Sequence, residues 1–209
     1  MIVTNVELSK NELELVCDSE FILTKNRIIE KAYNLFGLLS EAYKITLNNY
    51  KEVLPPEVFA ASPKIYKGEN YLSLPYVLMD HPRVFLKDDV FAIRSFLWWG
   101  NFFSITLHLS GRFLQAFKLN IRLALQEQHG QDYFVCINEA QWQHHFEKTN
   151  YISLNEIESE SIFQKPFFKL SKKLDLKDWE KAPAFFETSY AGFLQLLAPL
   201  NYPGGERVL

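Results

Sequence analysis

From Phe103 to Ser110 apolar and polar residues alternate without interruption. Phe103, Ile105, Leu107 and Leu109 fall on one parity, and Ser104, Thr106, His108 and Ser110 on the other. A period of two predicts a strand with one buried face. The apolar run Phe91–Trp99 precedes it and Gly100-Asn101 lies between, which predicts a hairpin over about residues 91–110. Its register is open to two readings. A two-residue loop, Gly100-Asn101, places Arg94 opposite Leu107, on the face of Phe103 and Ile105. A three-residue loop moves Arg94 to the face of Ser104, Thr106 and His108, and joins Ile93 and Leu97 to Ile105 and Leu107. A one-residue slip exchanges the faces of a whole strand, and the three-residue loop separates polar from apolar more cleanly, so it is preferred.

On either side the period lengthens. Ser9 and Glu12 have the spacing of a capping box, with Leu13, Leu15 and Val16 following. After Thr24, Ile28, Ile29, Ala32, Leu35, Phe36, Leu39, Ala42, Tyr43 and Leu47 recur at helical steps until Pro55-Pro56 forbids continuation. Phe113, Leu114, Phe117, Ile121, Ala124 and Leu125 predict a middle helix with Gly130 as its stop. Trp179, Ala182, Phe186, Tyr190, Phe193, Leu194 and Leu197 predict a last one that uses Pro183 in its first turn.

Shorter signals complete the chain. Lys64–Leu72 reads as two extended pieces around Gly68, Leu74–Met79 as a third, and Asp80-His81-Pro82-Arg83 as a loop, since a residue before proline avoids helical geometry. Tyr133–Ile137 and Phe167–Leu174 read as strands. Asn138 and Gln141 have capping-box form and predict a short helix carrying Trp142 and Phe146 on one side. With strands in the middle and helices first and last, the expected class is α+β. A largely antiparallel sheet is packed by N-terminal, middle and C-terminal helices in one domain over residues 1–200, followed by a mobile tail, 201–209.

Composition adds an aromatic load. Phe 18, Tyr 10 and Trp 4 in 209 residues supply a core without disulfide or metal, since each buried ring removes on the order of 150–250 Å² from water. Cys17 and Cys136 lie far apart among apolar neighbours and read as two core thiols in a reducing, cytoplasmic setting. The N-terminus lacks a basic n-region and no run reaches the length of a membrane helix. A formal charge of −3, with the lysines of 165–181 diluted by Asp175, Asp178 and Glu180, argues against nucleic acid. His144-His145 are adjacent and cannot chelate one metal from a helix face. No phosphate-loop, dinucleotide, hydrolase-elbow or zinc-protease motif is present, so no cofactor and no catalytic residue is assigned, and the balance leans away from catalysis.

Two functions follow from these residues. One is a non-catalytic binding or regulatory module that presents aromatic surface to a protein partner or to its own copy, as a homodimer. The other is a small-molecule enzyme or ligand-binding protein with a pocket on one sheet face. Arg94, His108, Thr106 and Trp98 form its wall, Asp80, His81 and Arg83 a loop over it, and a small anion is the ligand the arginine would hold.

Overall fold

A computed structural model describes residues 6–127, 132–157, 161–200 and 202. The chain runs α1 (Lys10–Cys17), α2 (Ser19–Asn48), α3 (Glu57–Ala60), β1 (Lys64–Tyr71), β2 (Leu74–Phe85), β3 (Val90–Trp98), β4 (Phe102–Ser110), α4 (Gly111–Glu127), β5 (Phe134–Cys136), β6 (Tyr151–Ser153), β7 (Phe167–Asp175) and α5 (Ala182–Leu197), with 3₁₀ segments between β6 and β7 and between β7 and α5. The strands form one antiparallel sheet in the order β1-β2-β3-β4-β7-β5-β6, packed by helices in a single α+β domain. No helix among the described residues is long and apolar enough to cross a membrane.

One face of the sheet carries the main core. Val77, Met79, Ile93, Leu97, Phe103, Ile105, Leu107 and Leu170 meet Phe36, Leu39 and Tyr43 of α2, Phe113, Phe117 and Ile121 of α4, and Phe186, Tyr190 and Phe193 of α5. The aromatic load goes here: Tyr43 stacks on Tyr190 at 3.7 Å between ring centroids, and Phe186 meets Phe36 and Phe103 edge to face. Tyr43 also donates or accepts a hydrogen bond with Ser95, a hydroxyl that would otherwise be stranded among these rings.

The hairpin has the three-residue loop. Trp98 pairs with Phe102, Arg94 with Thr106 and Ala92 with His108, while Gly100 takes the left-handed conformation (φ 72°) that the turn requires. Arg94 and His108 therefore share a face.

Four expectations are corrected. Asp80–Arg83 is not a loop but part of β2: Asp80 pairs with Arg94 and Arg83 with Ala92, so His81 and Pro82 together oppose Ile93 alone. That bulge absorbs a proline, which has no ladder N–H to give. Lys64–Tyr71 is one irregular strand, not two, and it turns into β2 through Leu72 and Ser73, both at positive φ. The helix expected from Asn138 is absent, because Asn138 Oδ1 accepts from the Ala140 N–H and its amide donates to Thr149. These local bonds offer the backbone an alternative to helix. Cys17 is exposed, since α1 buries no residue at all; Cys136 is buried.

The helix read from Thr24 begins five residues earlier, at Ser19, where the Asp18 carboxylate caps Phe21. The expected stop at Gly130 and, Tyr202 apart, the tail 201–209 lie outside the described residues.

Candidate functional site

The second face of the sheet divides in two. Toward the β3–β4 turn it is aromatic: Leu78, Phe96 and Trp98 pack with Tyr71, Tyr76 and Phe102. Toward the other end it is polar and still buried. Register puts Asp80, Arg94, Thr106 and Ser171 in one row across β2, β3, β4 and β7, and Ala92, His108 and Lys169 in the next. Side chains two residues apart on a strand share a face, so both rows point the same way.

Residues 137–150, between β5 and β6, cross over these rows without regular structure. Polar contacts hold the segment down. The Tyr71 hydroxyl accepts from the His144 and His145 N–H groups at 2.7 and 3.1 Å, Lys169 Nζ donates to the Gln143 carbonyl at 2.5 Å, and His108 Nε2 meets Gln141 Oε1 at 3.0 Å. Between the segment and the sheet lies a small, partly open cleft, with enclosed room for about one water, lined by Arg94, Thr106, His108, His144 and Lys169. Ala92, opposite His108, supplies the hollow because it has no more than a methyl group. Phe85 lines the outer side, and with Trp142, 6.1 Å away between ring centroids, it forms an exposed aromatic rim.

Charge inside the pocket is unbalanced. Arg94 grips Asp80 through two bonds, Nε to Oδ1 at 2.7 Å and Nη2 to Oδ2 at 2.8 Å. The planar fork and the carboxylate match. Its Nη1 donates to His144 Nε2 at 2.8 Å, which fixes His144 as an acceptor at that nitrogen and hence as neutral. Lys169, only 1% exposed, has no ion pair among the described residues. Two cations face one carboxylate.

Burial sets the protonation of the remaining groups. Desolvation, then the charges of Lys169 and Arg94, pushes His108 down to about 3 despite its bond to Gln141. Desolvation first, with Lys169 and Arg94 adding to it, lowers His144 well below the ordinary imidazole value. Lys169 itself falls to about 8 through burial, with Cys136 opposing and Arg94 adding. For Arg94 burial is the largest single influence and acts downward, but the bonds and charge of Asp80 outweigh it and the guanidinium is held above its usual value. The Tyr151 hydroxyl, buried near Thr106, makes no hydrogen bond of sound geometry, and burial raises it far above the usual phenol.

Of the residues expected in a pocket, Arg94, His108 and Thr106 line it and Asp80 lies behind Arg94. Trp98 does not reach it: its indole donates to the Tyr71 carbonyl inside the aromatic half of the face. His81 is buried with neither ring nitrogen bonded and is within electrostatic reach of Lys44 and Glu41 of α2; burial first, then Lys44, lowers it to about 4. Arg83 Nε donates to the Ser62 carbonyl, away from the pocket. Lys169 and His144 are the residues that sequence reasoning missed. Lys169 reads as one of a solvated lysine run, although Phe167, Phe168 and Leu170 around it mark a buried strand. Nothing in the sequence brings His144 to Arg94. Compared with family models, curated proteins and solved structures, the chain matches none.

Two outcomes follow from the buried charges. Arg94→Ala leaves the Asp80 carboxylate, 3% exposed, without its partner and is expected to lower unfolding free energy by about 3–5 kcal/mol. Urea titration checks this, with Asp80→Ala/Arg94→Met recovering part of the loss. The second concerns pH. Below 6.5 the unfolded chain protonates its imidazoles, whereas folded His81 and His108 take up protons only near 4 and 3. Unfolding is therefore linked to proton uptake in that window. Stability from these groups is complete above pH 6.5 and is lost as pH falls toward 4. His108→Gln should flatten the slope in urea titrations between pH 7 and 4.5.

Proposed function

We propose that this chain is a small-ligand-binding protein whose sheet-face pocket takes a compact anion of carboxylate size. The observation that carries the reading is Lys169: a buried ammonium beside an already neutralised arginine, with no carboxylate of its own. Burying a charge without a counter-ion is unfavourable by several kcal/mol, and an anion from solution removes that penalty. Arg94 supports it further. A guanidinium has five N–H donors; three serve Asp80 and His144, leaving two for an acceptor. The cleft's enclosed room, about one water in size, and its open mouth beside the Phe85–Trp142 rim favour an ion of the fewest atoms.

Thermal unfolding in formate or acetate at constant ionic strength tests this. The melting temperature is expected to rise with anion concentration, and a ligand at a hundred times its Kd adds about 2.7 kcal/mol. Because the amine is cationic below about 8, the effect should be full at pH 7 and fade above pH 8.5. An equal rise in Lys169→Met would reject the pocket as the binding place.

A second reading, self-association as a homodimer, has its own support. Leu13, Leu15 and Val16 of α1 and Phe21, Ile22 and Leu23 of α2 are each 42–69% exposed, and α1 packs no side chain into the core. Exposed apolar stretches of this kind mark contacts. The strip is largely aliphatic; most of the aromatics are inside. It carries charges of both signs, with Lys10 and Arg27 beside Glu14 and Glu20, so a second copy meets no like-charge barrier. Two unpaired thiols suit a cytoplasmic setting for either role. Light scattering on a sizing column should give a dimer mass that Leu13→Glu/Val16→Glu converts to monomer. A monomer mass over a wide concentration range would remove this reading.

A further inference from the structure

We infer that the cleft holds a single halide ion, chloride foremost, as a counter-ion shared by Arg94 and Lys169, and that this ion fastens the segment 137–150 to the sheet. The inference rests on the anion-binding reading and narrows it to a monatomic ion with a structural task.

Size makes the first selection. The enclosed part of the cleft has room for about one water. Chloride is spherical and only slightly larger than a water molecule, so a small widening at the open side admits it. A carboxylate fits only with its bulk in the mouth. Ala92 sets this limit, because a longer side chain opposite His108 would occupy the hollow.

Charge makes the second. A water molecule fills the same space but leaves both cations unbalanced, and no residue that lines the cleft is acidic. Phe85 and Ala92 are apolar, His108 and His144 are neutral, and Thr106 is bonded to Ser171. Burial keeps the Cys136 thiol and the Tyr151 phenol, on β5 and β6, in their protonated forms. Asp80, on β2, is spent on Arg94. The donors still unspent belong to the two cations. Arg94 has two N–H groups left, and Lys169 has two of its three, the other going to the Gln143 carbonyl. A halide accepts from several such donors at once and imposes no direction on them.

The covering segment gives the ion its task. Arg94 Nη1 holds His144 while Lys169 Nζ holds the carbonyl of Gln143, the residue before it. Two like charges must therefore stay close for both bonds to form. They repel, and more strongly where water is excluded. An anion between them turns that repulsion into two attractions, so sheet and segment are drawn together. The backbone N–H groups of His144 and His145, bonded to the Tyr71 hydroxyl, lie in the part of the segment that gains.

The test uses the full chain dialysed into sodium gluconate, whose anion is too large for the cleft. Chloride then replaces gluconate at constant ionic strength, while chloride NMR line width, melting temperature and amide hydrogen exchange are read. Expected are a saturable excess line width that bromide removes and a larger rise in melting temperature than formate or acetate gives at equal concentration. Exchange at His144 and His145 should slow. In crystals soaked in bromide, an anomalous peak should lie between Arg94 and Lys169. Ala92→Val fills the hollow and leaves both cations, yet should lose all three solution effects, as should Lys169→Met. If either variant does not fold, the bromide position in the unaltered chain decides. Absence of saturable broadening, undiminished broadening in folded Ala92→Val, or bromide only elsewhere overturns the halide site. Stabilisation by formate and acetate without chloride broadening also overturns it, while the anion reading stands; no effect of any of these anions removes both. Chloride binding that leaves exchange at His144 and His145 unchanged overturns the ion's hold on the segment.

Discussion

A guanidinium lying across the middle of a seven-stranded sheet needs a carboxylate on the next strand, and much of this protein's second face is arranged around that need. Arg94 and Asp80 are paired residues of β3 and β2, and the two-bond grip between them is what lets a cation stand in a buried row. The pair depends on register at two places. The three-residue loop at Gly100 turns Arg94 away from the apolar core, and the His81-Pro82 bulge re-aims β2 beyond Asp80. Either shift by one residue would exchange a methyl for a charge throughout the hairpin.

Once that pair is set, the remaining polar groups fall into dependence on it. His144 accepts from Arg94 and stays neutral; the segment that carries His144 is thereby pinned over the sheet, and its Gln143 carbonyl meets Lys169. The aromatic half of the same face works by packing instead, and Tyr71 joins the two halves, since its ring belongs to the cluster and its hydroxyl to the segment. Polar and apolar halves thus share one anchor.

The elements that were legible from sequence are those whose two sides differ in polarity. The α2 stripe ending before Pro55 and the Pro183-initiated last helix have that asymmetry, and so does the β4 alternation, although both of its faces are buried. So does the choice of loop at Gly100, where sorting Arg94 with Thr106 and His108 was enough. What was hidden has a common cause. β7 is buried on both faces at Phe167–Ser171, so its one lysine has no periodic signature to distinguish it from the lysines that follow. Asp80–Arg83 looked like a loop because the proline rule is local, whereas the bulge that accommodates it is a property of two strands. The segment 137–150 is held by side-chain bonds to residues far away in sequence, for which neighbouring residues carry no signal.

The sheet's two borders differ in kind from its centre. At one border β1 presents Lys64 and Lys67 and loses its regular pairing after Gly68; at the other, β6 is three residues long. A lysine-bearing, irregular border and a stub offer poor templates for another chain's backbone. Both borders of the finished sheet therefore disfavour extension by a neighbour's strand, and the alternating strand that reveals the fold, β4, lies between β3 and β7 with both of its edges paired.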